Sequence, residues 1–308
     1  MNGIINVLKP PGMTSFDVVG HLRKVLKTKK IGHTGTLDPG VAGVLPICVG
    51  NATKVIEYIT DKDKLYRAEL TLGISTDTQD SSGEIISNYK VDFSDDQIIQ
   101  AINTFVGEYQ QIPPMYSAVK VDGKKLYELA RKGITIDRKS RKVIIYSIEV
   151  LNINRIGSLK VLFDVACSKG TYIRTLCSDI GDKLGSGGHM SFLLRLKAGA
   201  FEISTALLLD EISALSQNNT LQEKIINAEE VLRNLKEIRL EAEDRRKFMN
   251  GVFIAIESNE FNAGEKVRVF DENKSFFAIG EMFLDEGVLL LRPKKSFWSE
   301  GINESNLR

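Results

Sequence analysis

The 308-residue chain is poor in cysteine, histidine and tryptophan, with three, three and one of them, and it has no long apolar run. Cys48, Cys167 and Cys177 are an odd number at spacings that match no zinc motif, and each lies in an apolar stretch, so we expect buried thiols. No segment approaches the ~20 apolar residues of a membrane-spanning helix, and the N-terminus lacks the flanks of a signal peptide. We therefore expect a cytoplasmic protein.

The sequence also lacks an excess of charge of either sign, since 41 Lys and Arg oppose 40 Asp and Glu. Net charge thus argues neither for nor against a nucleic-acid partner, but its distribution does. Residues 23–30 carry five cations and no acid, and residues 131–142 carry six cations against Asp137. A single basic run is ordinarily a solvated helix face or loop. Because the first run leads directly into a glycine-rich loop, the pattern favours a polyanionic partner.

Acidic residues are scarce in that loop: residues 29–46 (KKIGHTGTLDPGVAGVLP) hold four glycines, two prolines and one carboxylate, Asp38. An aspartate before proline commonly caps its own backbone through an Asx-turn, which is the structural interpretation. Pro39 also keeps Asp38 out of the α region, so extended backbone displays the carboxylate as a nucleophile requires. The loop lacks the GK[ST] ending of a phosphate-binding P-loop, while GHTG at 32–35 fits the GxxG loop of a non-catalytic KH-type RNA clamp.

Two other residues each have an ordinary interpretation and a chemical one. The sequence predicts a helix capped by Thr171, which places Arg174 in the first turn, where the helix dipole disfavours a cation by ~0.3 to 1 kcal/mol. Arg174 is therefore either an exposed side chain or the partner of a carboxylate or an RNA phosphate. Tyr66 begins the apolar face of the strand YRAELTLG, where it is either a core aromatic or a ring that stacks on a base in a cleft.

The order of predicted elements indicates two domains. Many strands with intervening helices, but without regular βαβ alternation, predict an α+β domain with a mixed or antiparallel sheet. Ser94 and Gln97 form a capping box before an apolar helical stripe. The polar stretch 213–231 is predicted to be a linker or a peripheral helix, and the short strands beyond it are typical of a small β-barrel. The expected boundaries are a main domain over 1–231, a barrel over 232–295 and a polar tail over 296–308.

Four ordered motifs resemble the bacterial tRNA pseudouridine synthases of the TruB type, which modify the T-loop uridine. They are GHTGTLDPGVAGVLP with Asp38, KLYRAELTLG with Tyr66, QIPPMYSAVKVDGKKLYELARKG, and SKGTYIRTLCSDIGDKLG with Arg174. The similarity runs from LKPPGMTS near the N-terminus to about Leu196. The segment beyond residue 232 resembles the small RNA-binding PUA barrel that such enzymes carry. The resemblance thus implies a pseudouridine synthase catalytic domain followed by a PUA-like domain.

The resemblance also implies an activity, the isomerisation of uridine at position 55 of tRNA to pseudouridine. The N1–C1′ bond is cut, the uracil turns while it is held, and C5 joins C1′, after the enzyme has extruded the nucleotide from its stack. Asp38 matches the catalytic aspartate, which attacks C1′ or abstracts the C2′ proton to give a glycal; the sequence leaves both routes open. Arg174 matches the arginine that pairs with this aspartate. Tyr66 matches the residue that stacks on the flipped base and helps remove the C5 proton.

Five further positions are assigned from the resemblance alone. His33 matches the histidine that fills the space left by the everted nucleotide, with a polar loop residue as the alternative. Tyr172 and Leu193 match positions that line the uracil pocket. Lys9 and Lys54 match positions near the active-site loop, and we assign them support of that loop or RNA contact.

The expected partner is tRNA, bound at its T-arm and T-loop, and the resemblance implies neither a metal nor an organic cofactor. The basic segments 23–30 and 120–142 are the expected phosphate contacts, the second as a mobile thumb. We expect a monomer that needs no membrane and no obligate protein partner.

Three rival classes remain for comparison. The first is a KH-like clamp, against which the set of Asp38, Tyr66 and Arg174 argues. The second is a zinc deaminase, whose H-x-E and P-C-x-x-C motifs are missing. The third is a glycoside hydrolase, which needs two paired carboxylates.

Overall fold

The computed structural model describes residues 1–60, 62–121 and 123–297, so most of the predicted tail lies outside the described residues. Within these ranges no helix combines the length and the apolarity needed to cross a bilayer. The strands are β1 Gly3–Lys9, β2 Ile31–His33, β3 Ala42–Val49, β4 Lys64–Leu72, β5 Ile74–Thr76, β6 Ile85–Asn88, β7 Gly107–Gln111, β8 Lys120–Val121, β9 Lys124–Lys125, β10 Arg141–Asn154, β11 Lys160–Cys167, β12 Gly188–Ala198, β13 Phe201–Glu202, β14 Lys236–Arg239, β15 Ile254–Ala255, β16 Lys266–Phe270, β17 Phe276–Asp285 and β18 Val288–Ser296. The α-helices are α1 Ser15–Val25, α2 Ile56–Thr60, α3 Asp95–Asn103, α4 Leu126–Ala130, α5 Ile173–Lys183, α6 Leu209–Gln217, α7 Ala228–Val231 and α8 Ala242–Met249.

A nine-stranded sheet forms the larger part of the fold, in the order β1-β3-β12-β4-β11-β10-β7, with β2 paired to β3 and β13 to β12. Neighbouring strands are antiparallel. The exception is β3 with β12, a parallel pair in which Leu194 lies opposite Ala42 and Arg195 opposite Gly43. The predicted mixed sheet of an α+β domain is therefore confirmed. The parallel pair brings the glycine-rich loop before β3 next to the middle of β12.

Alternation along β4 decides which side chains enter the core. Because successive residues of a strand face opposite sides, one set is buried as the pattern predicts: Tyr66, Ala68, Leu70 and Leu72. Helix α5 packs into the same core with residues spaced three and four apart: Ile173, Leu176, Cys177 and Ile180. All three cysteines are buried free thiols, as expected.

Helix starts test the capping predictions. The box of Ser94 and Gln97 at α3 is present, with each side chain bonded to the backbone amide of the other residue. The Thr171 cap is wrong, because α5 begins two residues later and the Thr171 hydroxyl donates to the carbonyl oxygen of Ser168 at 2.9 Å. That hydroxyl is satisfied within the turn that precedes the helix. Arg174 nevertheless lies in the first turn, as the spacing predicts.

The polar stretch 213–231 packs against the main domain. The backbone amides of Ile4 and Ile226 each donate to the carbonyl oxygen of the other residue, at 2.8 and 2.9 Å. Leu221 within this region is almost fully buried in the main core, and Ile212, directly before the region, is fully buried there. Of the two predicted interpretations, the peripheral helix fits, and the free linker does not.

Residues 236–296 form a second sheet of five strands, in the order β14-β16-β17-β18-β15. Strands β16, β17 and β18 pair antiparallel in the segment for which the sequence predicts short strands. Strand β14 pairs with β16 in parallel. This sheet has a core of its own, which includes Leu240, Phe248, Val267, Val269, Met282 and Leu291. The arrangement agrees with the predicted PUA-like barrel.

An apolar seam joins the two sheets. Ile279 of β17 is fully buried in one cluster with Val55 and Ile59 of the main domain. At the same seam the Lys266 ammonium lies 4.8 Å from the centre of the Tyr58 ring. Because one core cluster contains side chains from both sheets, the border at residues 231 and 232 stays a proposal, and we expect each sheet to stabilise the other.

Replacement of Ile279 by alanine measures that seam. We expect Ile279→Ala to lower the free energy of unfolding by about 2 to 5 kcal/mol, because it leaves a cavity between well-packed apolar side chains. The measurement is urea unfolding followed by circular dichroism. The matched control is Leu284→Ala in the same strand, whose side chain is 61% exposed and which should change stability little. Equal losses from the two variants would contradict the shared core.

Candidate active site

A cleft of about 950 Å³ opens beside the parallel pair of strands. Its wall comes from the loop before β3, from β4 and β12, and from the turn that leads into α5. Five of the predicted site residues line it: Asp38, Tyr66, Tyr172, Arg174 and Leu193. Sequence positions more than 150 apart thus meet at one site, as the resemblance implies.

The loop that carries Asp38 is pinned on both sides of the aspartate. Before it, the backbone amide of Leu37 donates to the hydroxyl of Ser15 at 2.9 Å, and Leu37 is buried. After it, the amide of Gly12 donates to the carbonyl oxygen of Pro39 at 2.8 Å. The amide of Val41 donates to the backbone carbonyl of Asp38 at 3.0 Å. The Asp38 carboxylate is therefore presented to the cleft from a fixed backbone, and it is 45% exposed.

Arg174 binds that carboxylate. Its Nη2 lies 3.0 Å from Oδ2 of Asp38, and its Nη1 lies 3.5 Å from Oδ2 of a second aspartate, Asp80. Nη2 also donates to the carbonyl oxygen of Tyr116 at 2.9 Å. The Arg174 side chain is only 7% exposed, so these groups hold it in one orientation. Two carboxylates offset the unfavourable position of a cation in the first turn of a helix.

Tyr66 is both a core residue and a wall of the cleft, so its two predicted interpretations are compatible. Its ring belongs to the main apolar cluster, and its residue lines the cavity. Burial raises the pKa of the Tyr66 hydroxyl. The charge of Arg195 and a hydrogen bond from that side chain act in the opposite direction. In the pairing of β4 with β12, Tyr66 lies opposite Arg195, so a largely apolar part of the protein has an arginine as its neighbour.

Comparison with known proteins decides the family. Consecutive parts of the chain match the models described as "TruB family pseudouridylate synthase (N terminal domain)" over residues 23–173, "tRNA pseudouridylate synthase B C-terminal domain" over 174–238 and "Pseudouridine synthase II TruB, C-terminal" over 237–295. The chain belongs to the TruB family. It is accordingly a pseudouridine synthase, an isomerase.

Similar proteins cover most of the chain. The tRNA pseudouridine synthase B of Clostridium kluyveri is 48% identical over 282 residues, which are 91% of this chain and 95% of that protein. The protein of the same name from Bacillus subtilis is 44% identical over 289 residues, which are 91% of this chain and 92% of that protein. A chain in the crystal structure of a Cbf5-Nop10-Gar1 complex superposes with a TM-score of 0.75 at 29% identity, covering 96% of this chain and 85% of that one. The structural likeness thus extends over both sheets.

Family membership excludes the rival classes more firmly than the count of acids does. A glycoside hydrolase needs two carboxylates, and the sequence motifs show only Asp38. The structure adds Asp80, which shares the Arg174 guanidinium with Asp38, so the number of acids alone does not exclude hydrolysis. Among the described residues no group of three or more His, Cys, Asp or Glu side chains is arranged to hold a metal ion. A TruB enzyme, unlike a KH-like clamp, changes the RNA that it binds.

Tyr172 approaches the cleft from the position before α5, and Leu193 approaches it from β12. A pair of hydrogen bonds fixes the backbone of Tyr172: its amide donates to Oε1 of Gln111 at 2.7 Å, and Nε2 of Gln111 donates to its carbonyl oxygen at 3.0 Å. Gln111 is buried. Leu193 lies opposite Ala68 of β4 and is half-buried, which leaves part of its side chain at the cleft. Both residues line the cleft, and their contact with a base stays a prediction.

His33, Lys9 and Lys54 do not line the cleft. The His33 ring makes an edge contact with Phe16, which is 73% exposed, with ring centres 5.3 Å apart, and its Nδ1 accepts a hydrogen bond from the amide of Gly35. Burial, with the charge of Arg195, lowers the pKa of His33. His33 thus supports the start of the active-site loop, and its proposed role in filling the space of the everted nucleotide stays a prediction.

Lys54 lies at the seam between the sheets. Its ammonium group donates to the carbonyl oxygen of Ser296, the last residue of β18. Its assigned role, support of the active-site loop or RNA contact, stays a prediction. It links the main domain to the second sheet, and sequence spacing carried no sign of that contact.

Lys9 supports the loop from inside the protein. Its side chain is fully buried, and its Nζ donates to the carbonyl oxygens of Pro10, Met13 and Pro39. Burial lowers the pKa of Lys9, and the nearby Asp38 carboxylate opposes that effect. Of the two assigned roles, support fits this geometry, because a fully buried ammonium group does not reach RNA.

Loss of those three hydrogen bonds should weaken the loop. We expect Lys9→Met, which keeps the length of the side chain, to lower the free energy of unfolding by about 1 to 3 kcal/mol, because buried carbonyl oxygens lose their donor. Turnover should fall with it, since Pro39 follows Asp38 directly. The measurements are urea unfolding and initial rates on tRNA. The control is Lys197→Met at the exposed ion pair with Glu202, where we expect a loss below about 1 kcal/mol. A fully stable and active Lys9→Met variant would contradict the supporting role.

Only one of the two basic segments reaches the cleft. Arg131, Arg141 and Lys142 of the second segment line it, together with Lys64 and Lys169. The first segment, 23–30, contributes no lining residue. Its Lys30 ammonium instead donates to Oδ1 of Asn51 at 2.8 Å. The cations at 131–142 are thus the better candidates for contact with phosphates near the reacting nucleotide.

Proposed function

We propose that the protein isomerises the uridine at position 55, in the T-loop of tRNA, to pseudouridine. Membership of the TruB family and relatives named tRNA pseudouridine synthase B support this substrate. The observation that carries the proposal is the Asp38 carboxylate, held 3.0 Å from Arg174 at the wall of an open cleft. An ionised, oriented carboxylate next to a space large enough for a nucleotide is what the reaction needs.

The nucleotide enters the cleft after it leaves its stack in the loop. Extrusion costs a few kcal/mol, and contacts with the flipped base and the flanking phosphates offset that cost. Arg131, Arg141 and Lys142 supply cations at the cleft for those phosphates. Because the Asp38 loop is pinned to the protein by Ser15 and Lys9, it does not need to reorganise when RNA binds.

The reaction begins at the sugar. In one route an Asp38 oxygen attacks C1′, the N1–C1′ electron pair leaves with the uracil, and an ester to the sugar forms. In the other route the same pair leaves, and Asp38 removes the C2′ proton to give a glycal. Both routes need an ionised carboxylate in a fixed orientation, which Arg174 provides by binding Oδ2. The geometry is compatible with each.

The uracil then turns, and its C5 bonds to C1′. In the first route the ester bond to Asp38 breaks and the carboxylate leaves; in the second the glycal takes back its proton at C2′ from Asp38. Tyr66, Tyr172 and Leu193 form the walls that keep the detached base in the cleft. Once the C5–C1′ bond exists, C5 still carries its proton, and Tyr66 removes it. The C5–H electron pair restores the C5–C6 double bond while the second bond between C6 and N1 breaks. Its electron pair goes to N1, which takes up a proton from solvent, so the number of protons is unchanged.

The second sheet extends the contact with tRNA. Two cations of β18 are engaged within the protein, since Lys294 pairs with Glu281 at 2.8 Å and Lys295 with Glu57 at 3.2 Å. We propose that the enzyme works as a monomer in the cytoplasm and without an obligate protein partner. Light scattering and assays on the purified chain test that proposal, since a requirement for added protein would contradict it.

One assay tests the function. The purified protein is incubated with an unmodified tRNA transcript in the presence of a metal chelator, and pseudouridine is mapped along the RNA. We expect conversion at position 55 and nowhere else. A transcript with cytidine at that position serves as the control and should stay unmodified. No conversion at position 55, or conversion at another uridine, would overturn the proposal.

A further inference from the structure

A second buried arginine lies in the cleft, apart from the pair of Asp38 and Arg174. Arg195 of β12 lines the cavity and is 2% exposed. Its Nε donates to the carbonyl oxygen of Val44 at 2.7 Å, and its Nη2 lies 3.3 Å from the carbonyl oxygen of Gly35. These two carbonyls stand before and after the loop that carries Asp38. The guanidinium plane is therefore fixed against the backbone of that loop.

The strand register places Arg195 directly beside Tyr66. Arg195 lies opposite Tyr66 in the antiparallel pair of β12 and β4, and opposed residues of neighbouring strands project to the same face. On its other side it lies opposite Gly43 of β3. Gly43 has φ +127°, and a Cβ there would lie 2.4 Å from the Arg195 carbonyl oxygen. Glycine at position 43 thus permits the close approach of β3 to the backbone of Arg195.

The charge of Arg195 is not neutralised by a carboxylate. Arg174 has two aspartates within ion-pair distance, whereas no carboxylate lies within 4.0 Å of the Arg195 guanidinium in the described part of the chain. A buried cation without a counter-ion is costly, and carbonyl oxygens offset only part of that cost. Tyr66, the residue opposite it on β4, carries a hydroxyl oxygen with the chemistry of a further acceptor. Ionised Tyr66 would complete the pair.

We propose that Arg195 is a positioning residue of the reaction, which holds the Tyr66 oxygen in the cleft and stabilises its negative charge while that oxygen takes the proton from C5. The inference rests on the proposed function, because it assigns a task within the same isomerisation. Ionised Tyr66 accepts the proton, and the C5–H electron pair becomes the second bond between C5 and C6. The second bond between C6 and N1 breaks at the same time, its electron pair goes to N1, which takes up a proton, and the phenol returns its proton to solvent. Arg195 itself forms and breaks no bond.

The opposing effects on Tyr66 agree with this task. Burial raises the pKa of the tyrosine, which by itself disfavours a base. The charge of Arg195 and a hydrogen bond from it oppose this rise in part, and the pKa of Tyr66 stays raised overall. The other groups that bear on this hydroxyl are the buried thiol of Cys167 and the carboxylate of Asp38, and both raise the pKa. Arg195 is thus the group that favours the ionised form.

Two substrates separate this role from general support of the fold. One is tRNA with 5-deuterouridine at position 55, which reports the breaking of the C5–H bond. The other carries 5-fluorouridine there, which has no C5 proton to lose, so glycosidic transfer proceeds without that step. Arg195→Lys keeps the charge but not the planar fork, and Arg195→Gln keeps donors but not the charge. Thermal unfolding establishes that each variant is folded.

We expect both variants to slow conversion of uridine by about 10²-fold, as a misplaced catalytic group does. The deuterium isotope effect on kcat should exceed that of the wild type, and transfer of 5-fluorouridine, followed by chromatography of digested RNA, should stay within about twofold. Equal slowing on both substrates, or an unchanged isotope effect, would overturn the inference. Tyr66→Phe leaves the backbone bonds of Arg195 intact, so it provides the same test if an Arg195 variant fails to fold. Wild-type protein that forms no pseudouridine would refute the proposed function instead.

Discussion

Asp38→Asn is expected to reduce pseudouridine formation by about 10³-fold or more, because a carboxylate that reacts at the sugar has no substitute in an amide. Binding should be nearly unchanged. Asparagine has the same size, its oxygen still accepts from Arg174, and the loop stays pinned at Leu37 and Pro39. We therefore expect the Kd for tRNA to change by less than about tenfold, or ~1.4 kcal/mol. Single-turnover rates and filter binding measure the two quantities.

The matched control for this variant is Asp285→Asn, which removes one carboxylate from the exposed end of β17 and should keep full activity. Mass spectrometry is needed for the Asp38→Asn sample, since deamidation would restore the aspartate. Appreciable turnover by a sample free of deamidation would refute the role of Asp38. A large loss of affinity together with the loss of activity would show that Asp38 contributes to binding as well.

Local patterns in the sequence predict the main sheet well. The alternation in β4 and the three-and-four spacing in α5 are properties of consecutive residues, and burial follows from them directly. The Asp38 loop is recognised for the same reason, because glycine and proline constrain the backbone where they stand. The resemblance then brings Asp38, Tyr66 and Arg174 together, and the structure places all three at one cleft.

Residues without a local pattern are not predicted. Asp80 lies in a polar loop and Arg195 in an ordinary strand, and neither position has a spacing that sets it apart. Each acquires its place from a partner distant in sequence: Asp80 from Arg174, and Arg195 from the parallel pairing of β12 with β3. A search for charged residues that the order of strands brings together would have identified both, but such a search needs to know that order. That order is a tertiary property.

Side chains that choose between two partners are also hard to predict. Thr171 precedes a helix and has the right chemistry for a cap, yet its hydroxyl bonds a carbonyl oxygen within the turn. Lys54 has a position similar to that of a loop residue in the family, yet its ammonium reaches β18 across the seam. Likewise, the apolar cluster around Ile279 does not appear as one segment of the sequence, because it combines two sheets.

Arg174→Lys is the substitution with the second-largest expected effect, although it preserves the charge. The guanidinium contacts Asp38 and Asp80 through different nitrogens and donates to the carbonyl oxygen of Tyr116 at the same time. A lysine ammonium is a single point on a flexible chain and cannot make these contacts in one plane. Asp38 should therefore lose its fixed orientation, and we expect kcat to fall by about 10²-fold while the KM for tRNA changes little.

The chain offers a control with the same chemistry at an exposed place. Arg67 binds Asp164 through two nitrogens, at 2.8 and 2.9 Å, and its side chain is 41% exposed. Arg67→Lys breaks an equally good pair, yet it should leave kcat unchanged, because Arg67 does not line the cleft. Steady-state kinetics on tRNA, with thermal unfolding of both variants, makes the comparison. Normal turnover by Arg174→Lys would show that Asp38 keeps its orientation without the arginine fork, since Lys9, Ser15 and Gly12 already fix the backbone on both sides of it.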